Sequence, residues 1–391
     1  MEKIWINIPD VLFFQEGPGV RNTQYTTEGV KLLNVANLVD GKVDLSKSDR
    51  YISEDEAYGK YKHFLCDAGD FVIASSGIKV EYIDKKMGFV DESMLPLCMN
   101  TSTIRFKVLD DNKLRIRYFM YYLKSQHFKD QLFKQITGSA QLNYGPSHLK
   151  KMIMPLISLS KQDEIIACMD KVQSVIEMRR QELVKLDDLI KARFVEMFGD
   201  PIMNPKGWEV VTIGDIVTEV KYGTSRPAVE GGRYPYLRMN NLTVDGYLDL
   251  SDLKYIDIPD DEIEKCVVRK GDVLFNRTNS IELVGKTVVF DLPEEMVIAG
   301  YIIRVRLNEK ILPEVLSQYM NLEALKDILR SMAKGAVNQA NINAQELQSI
   351  KVYLPDMKLQ KRFIEIKEQV DKSKVAILKN YLQGGVLSYA N

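Results

Sequence analysis

The sequence predicts an α+β protein in which two similar mixed α/β modules are separated by two long helices, packed as an antiparallel coiled coil about a pseudo-two-fold axis. Three observations predict it. The order of elements recurs at an interval of about 200 residues. Two segments carry apolar residues at alternating steps of three and four. A stretch punctuated by Gly and Pro, Gly199-Asp-Pro-Ile-Met-Asn-Pro-Lys-Gly207, separates the copies. With 391 residues, 45% hydrophobic and 27% charged, the chain is long enough for at least two cores and has the composition of an ordinary folded protein. The divisions fall at 1–158, 159–204, 205–355 and 356–391.

Taken in order, the first copy has Val30-Lys-Leu-Leu-Asn-Val-Ala-Asn37, Asp40-Gly41 and Tyr51-Ile52. The second has Tyr234-Pro-Tyr-Leu-Arg-Met-Asn-Asn241, Asp245-Gly246 and Tyr255-Ile256. Each reads as a strand, a turn whose Asp-Gly pair accepts positive φ, and a second extended segment. Gly69-Asp70-Phe-Val-Ile then matches Gly271-Asp272-Val-Leu-Phe, and Thr103-Ile-Arg-Phe-Lys-Val108 matches Ile302-Ile-Arg-Val-Arg-Leu307. One amphipathic helix follows in each copy, 117–136 and 313–332, then a polar loop, Gly138-Ser-Ala-Gln141 or Gly335-Ala-Val-Asn-Gln339. A strand near Pro155 or Pro355 leads to a long helix entered past Gln162 or Gln360. The first seam runs through Ile165, Val172, Ile176, Leu183, Leu186 and Ile190, the second through Phe363, Ile366, Val370 and Ile377. A narrow seam needs a narrow partner, and each supplies one for the other.

The balance of 53 Lys and Arg against 54 Asp and Glu excludes a polycation that coats nucleic acid or membrane through bulk charge. Four scattered cysteines (Cys66, Cys98, Cys168, Cys266) and three histidines offer neither a disulfide framework nor a metal site. The first residues lack a signal-peptide pattern and no apolar run is long enough to span a bilayer, so a cytoplasmic location without membrane contact is expected. Val284-Gly285-Lys286-Thr287 imitates the tail of a phosphate-binding loop, but Ser280 stands where its first glycine belongs and the stretch reads as a strand. With no catalytic signature and no cofactor motif, neither catalysis nor a resident cofactor is expected.

What remains is an inventory of polar loop tips at equivalent places. In the first copy these are Gln15, Arg21, Asn22 and Gln24; Ser75, Ser76 and Lys79; and Gln141, Asn143 and Tyr144. In the second they are Tyr222, Thr224, Ser225, Arg226 and Arg233; Asn276, Arg277 and Asn279; and Gln339 and Asn341. Arg pairs with guanine edges, and Asn or Gln with adenine edges, so the set fits DNA reading. The tips differ between copies, which predicts an asymmetric target. The competing reading is a protein-binding adaptor with duplicated domains around a helical spacer, which suits the neutral charge better and the loop composition worse.

The segment Phe194-Val-Glu-Met-Phe-Gly-Asp-Pro-Ile-Met-Asn-Pro-Lys-Gly-Trp-Glu209, set between two copies of a module each followed by a helix, resembles the specificity subunit of type I restriction-modification systems. The resemblance implies two target recognition domains, 1–158 and 205–355, each reading half of a bipartite site in double-stranded DNA. It implies that the helical segments set the spacer and dock two methyltransferase subunits, joined by restriction subunits. S-adenosylmethionine, ATP and Mg2+ then belong to those partners and none to this chain.

Overall fold

The computed structural model describes residues 4–135, 142–336 and 339–387. The chain divides into two compact units, Met1–Val175 and Ile176–Asn391, and the division falls inside a 40-residue helix, Leu159–Phe198, the central helix. Each unit carries the same sheet. In the first, four antiparallel strands run in the order Leu12–Glu16, Thr103–Val108, Phe71–Ala74 and Met87–Phe89. In the second the order is Val217–Tyr222, Ile302–Leu307, Val273–Asn276 and Thr287–Val289. The strands Phe71–Ala74 and Val273–Asn276 are buried at every residue, which is why Phe71–Ala74 and Val273–Phe275 read as continuous apolar runs rather than alternating ones.

A second sheet in each unit contains a parallel pair, Val30–Leu33 with Leu97–Met99 and Tyr234–Leu237 with Met296–Ile298. A short antiparallel pair closes each module just before its long helix: Ile4–Asn7 with Ile153–Leu156, and Glu209–Thr212 with Lys351–Leu354. The expected Asp-Gly turn is present at Asp40 and Gly41, whose φ values of 48° and 79° suit the hairpin joining Leu38–Val39 to Lys42–Val43.

The sequence reading of one amphipathic helix per copy is corrected. Each breaks in two, into Ile116–Leu123 and Gln126–Gln135, and into Pro313–Met320 and Glu323–Met332. In the first, the Ser125 hydroxyl accepts from the Phe128 amide at 3.3 Å, capping a new helix whose Phe128 and Leu132 enter the core. In the second, Asn321 leaves the helix with its side-chain amide on the Thr287 carbonyl, 2.5 Å away. Val284 and Gly285 end a turn, and the strand begins only at Thr287.

The same buried arginine sits on the second strand of both four-stranded sheets. Arg105 donates to the Leu65 and His63 carbonyls at 2.6 and 2.7 Å and to Gln15 at 2.7 Å. Arg304 donates to the Val267 carbonyl and to Glu219. Two residues on, Lys107 pairs with Asp70 at 3.3 Å as Arg306 pairs with Asp272 at 2.9 Å. Such charges stay buried because each is paired or hydrogen-bonded.

Each long helix is tied to its own module by one glutamine. The Gln162 carbonyl oxygen accepts from the Arg115 amide at 2.8 Å, and its side-chain amide donates to the Lys113 and Ile157 carbonyls at 2.8 and 2.9 Å. Gln360, at the start of the C-terminal helix Met357–Leu387, repeats this with the Leu312 amide and the Lys310 and Pro355 carbonyls, at 2.9, 3.1 and 2.8 Å. Both glutamines are fully buried.

Within the second unit the C-terminal helix packs on the central one. Phe363 meets Phe194 and Phe198 with ring centroids 5.2 and 5.5 Å apart, and eleven positions later Lys374 pairs with Asp187. Partner numbers fall as helix numbers rise, so the packing is antiparallel. Ile190, Val370 and Ile377 are buried, while Leu183, Leu186 and Ile366 are half-buried. The seam differs from the sequence reading at three places. Ile165 packs into the first unit's core rather than against a helix. Val172 is 47% exposed. Beyond Ile190 the buried step is four, to Phe194 and Phe198, since an unsupercoiled helix of 3.6 residues per turn drifts off a 3.5-residue repeat.

Replacing Gln360 with Ala strands one amide and two carbonyls in the interior, and unsatisfied buried groups cost about 1 to 3 kcal/mol each when no water reaches them. Urea unfolding of Gln360→Ala is expected to show a loss of about 2 kcal/mol or more, against less than about 0.5 kcal/mol for exposed Gln369→Ala on the same helix.

Candidate nucleic-acid interface

In each unit the loop clusters singled out in sequence are neighbours. In the first, the turn after Phe71–Ala74 runs into a short strand, Ser76–Ile78, that pairs with Leu142–Asn143. The buried Ser75 hydroxyl donates to Glu16 at 3.1 Å, at the end of the strand that leads into the Gly17–Gln24 loop. The Tyr144 amide and hydroxyl donate to the Ser75 and Ala74 carbonyls at 3.0 and 2.9 Å.

Several candidates therefore hold the loops rather than present edges to a partner. Tyr144 is 2% exposed and burial pushes its hydroxyl well above the usual tyrosine range, so it is an anchor. Ser75 is enclosed. Gln15 accepts from Arg105, and Gln24 donates to Glu56 at 2.6 Å and to the Tyr61 hydroxyl at 3.1 Å. Arg21, Asn22 and Lys79 are exposed and Ser76 is half-buried. Gln141 lies outside the described residues, and of Asn143 only the backbone is described.

In the second unit all three clusters meet at one residue. The Arg277 guanidinium stacks over the Tyr222 ring, 4.9 Å from its centroid, and the Tyr222 hydroxyl accepts from the Ala344 amide at 2.8 Å. The Arg277 carbonyl accepts from Ile342, and the Thr278 hydroxyl donates to Asn341 at 3.1 Å. Stacking holds the long side chain in one geometry, so less rotamer entropy is lost when its fork meets a bidentate acceptor. Arg277 Nε has no protein partner. Beside it Tyr301, whose carbonyl accepts from the Arg277 amide, is 50% exposed. Sequence reasoning missed Tyr301, although it follows Gly300 at the start of a strand and so stands at a loop tip.

Asn276 is wholly buried, donating to the Thr278 and Tyr301 carbonyls at 3.1 Å each and accepting from Asn279 at 2.8 Å, so this asparagine pair shapes the turn. Thr224 accepts from the Arg226 amide at 3.2 Å, while Ser225 and Gln339 are exposed. Arg226 forms a two-pronged pair with Glu262 at 2.7 and 3.1 Å, which holds that carboxylate below its usual range, and Arg233 pairs with Asp260 at 3.2 Å. Both pairs are solvent-exposed, where such pairs contribute little and an incoming phosphate or base edge can displace the acid.

Among the described residues no His/Cys/Asp/Glu group could hold a metal ion and no helix is long and apolar enough to cross a membrane.

Comparisons with known proteins agree with this duplicated layout. The family model described as type I restriction modification DNA specificity domain matches twice, over residues 26–187 and 205–384. A chain of Methanocaldococcus jannaschii described as a type I restriction enzyme MjaX specificity subunit is 32% identical over 171 residues, 43% of this chain and 40% of that one. The type I restriction enzyme EcoKI specificity subunit of Escherichia coli is 22% identical over 280 residues, 67% of this chain and 60% of that one. The matches thus span about half of those relatives' lengths. A chain from a structure described as the basis of complex assembly and conformational transition of the type I R-M system shares the fold, with a TM-score of 0.56 at 18% identity over 98% of this chain and 95% of that one.

Arg277→Ala is expected to weaken DNA binding by about 1 to 3 kcal/mol at one half-site only, measured by competition between duplexes altered in one half at a time. An equal loss on every sequence would mark Arg277 as a phosphate contact. Tyr144→Phe is expected to lower the melting temperature and leave sequence preference unchanged.

Proposed function

This chain belongs to the type I restriction modification DNA specificity family, and from that premise we propose that it is the specificity subunit of a type I restriction-modification complex acting in the cytoplasm. Each module, 1–158 and 205–355, reads one half of an asymmetric bipartite site in double-stranded DNA. The helical segments 159–204 and 356–391 set the unread spacer and dock two methyltransferase subunits, to which restriction subunits join. Methyl transfer and cleavage, with S-adenosylmethionine, ATP and Mg2+, belong to those partners, and this chain supplies discrimination alone.

The observation that carries the reading is the doubled cluster. The same scaffold brings three loops together twice, and the side chains at the tips differ between copies: Ser76 and Lys79 in one, Arg277 stacked on Tyr222 in the other. An adaptor that gripped one protein partner twice has no use for such divergence on a retained scaffold. The central helix has 40 residues and so a length of about 60 Å, ample for half-sites about 34 Å apart, one turn of DNA.

Near-neutral charge implies few phosphate contacts from this chain, so the chain alone is expected to bind DNA weakly and with a shallow salt dependence, and tightly only with methyltransferase present. Fluorescence anisotropy on labelled duplexes with and without the methyltransferase reads this directly. Methylation of DNA by the purified chain with S-adenosylmethionine would refute the division of labour, and a complex without sequence preference would refute the reading as a whole.

A further inference from the structure

The first module holds a cationic cleft that begins at the loop-tip residue Lys79 and extends beyond the tips considered above. It has a volume of about 470 Å³ and lies beside the strand Ser76–Ile78, which pairs with Leu142–Asn143. Val39 and Ile78 give it apolar lining, the half-exposed Tyr82 ring forms one wall, and Lys79, Lys85 and Lys86 surround it. Asp40 is the single acid in the lining. Lys85 stands over the Tyr82 ring, 5.4 Å from its centroid. Nearby Lys129 is paired with Asp84 at 3.5 Å, whereas none of the three lysines has a carboxylate partner among the described residues.

What marks these three is that they surround one cleft. Three unpaired ammonium groups around one cleft repel one another, and an anion entering it relieves that repulsion. Among the described residues, the matching turn of the second module is built differently. Lys286 matches Lys86, because the Asn276 amide donates to the Lys286 carbonyl as the Ala74 amide does to that of Lys86, each at 2.8 Å. Lys286, however, is buried with its ammonium on the Met239 carbonyl at 2.6 Å. The segment 278–285 carries Glu282 and neither Lys nor Arg.

We propose that the Lys79–Tyr82–Lys85–Lys86 cleft is a seat for the sugar-phosphate backbone of DNA beside the first half-site, a sequence-independent grip that the second module lacks. Lysine is a compact point charge suited to phosphate rather than to bidentate reading of a base. A deoxyribose packs on the Tyr82 ring and the aliphatic lining while the ammonium groups meet the flanking phosphates. The inference rests on the specificity-subunit reading and adds that affinity is shared unequally between the modules.

The test uses the full chain in complex with its methyltransferase, as wild type, Lys79→Ala/Lys85→Ala/Lys86→Ala and Lys79→Arg/Lys85→Arg/Lys86→Arg. Anisotropy is read on a random-sequence duplex and on one carrying the modified site, from about 50 to 200 mM salt. Each phosphate contact contributes about 0.9 to the slope of log affinity against log salt, so the alanine variant is expected to lose about 2.7 from the slope. Over that salt range the wild type then loses about 40-fold more affinity than the variant. The expected result has the same change on both duplexes, restoration by arginine and unchanged preference for the site. An unchanged slope, a loss confined to the site-bearing duplex, or loss of methyltransferase from the complex would each overturn the proposal. Failure of the specificity reading shows separately, as a wild-type complex that prefers neither duplex.

Discussion

The structure depends on two buried glutamines. Gln162 and Gln360 each spend a side-chain carbonyl on one backbone amide and a side-chain amide on two backbone carbonyls, and in both cases the three bonded groups come from the loop before a helix and from the turn entering the long helix. Nothing shorter reaches all three groups, and nothing apolar satisfies them. Each long helix thereby starts from its module in a defined direction, and it does so the same way twice. In the proposed reading, two stretches of DNA are read at a fixed separation, and that requires a defined start for each spacer helix.

A second polar device fixes how the helices meet within the second unit. Lys374 lies buried at the helix contact, paired with Asp187, and donates to the Tyr247 hydroxyl at 2.9 Å. Tyr247 in turn donates to Asp371 at 2.7 Å, and burial with that bond pushes its hydroxyl far above the usual range. Apolar residues alone tolerate sliding by a turn, whereas a desolvated charge pair is satisfied in one register. Since Tyr247 follows the Asp245-Gly246 turn of the second module, the same network ties that module to the helix pair.

The duplication, the long helices and the turn at Asp40-Gly41 were legible because each leaves a local or periodic mark on the chain. The helix register was less so. Lys374 is invisible to a count of apolar positions, which steps through exposed Ser373 instead, and the shift to Phe194 and Phe198 depends on the true helical period. Among the candidate contacts, loop membership was readable and direction was not. Polar side chains in loops also satisfy buried backbone groups, and Asn276 and Tyr144 do so. Whether an arginine is already paired depends on residues far along the chain, 36 positions away for Arg226 and Glu262. Tyr82 and Tyr301 lie outside the three polar loop clusters from which the candidates were drawn.

The central claim is that two unlike modules in one chain read two unlike half-sites. Sequencing the modified bases in the genome of a host carrying this chain with its methyltransferase tests it most directly. The account predicts a single bipartite motif with unlike halves and a gap of constant length, absent when the chain is deleted. Modified motifs that are all continuous palindromes, or a gap that varies among sites, would contradict it.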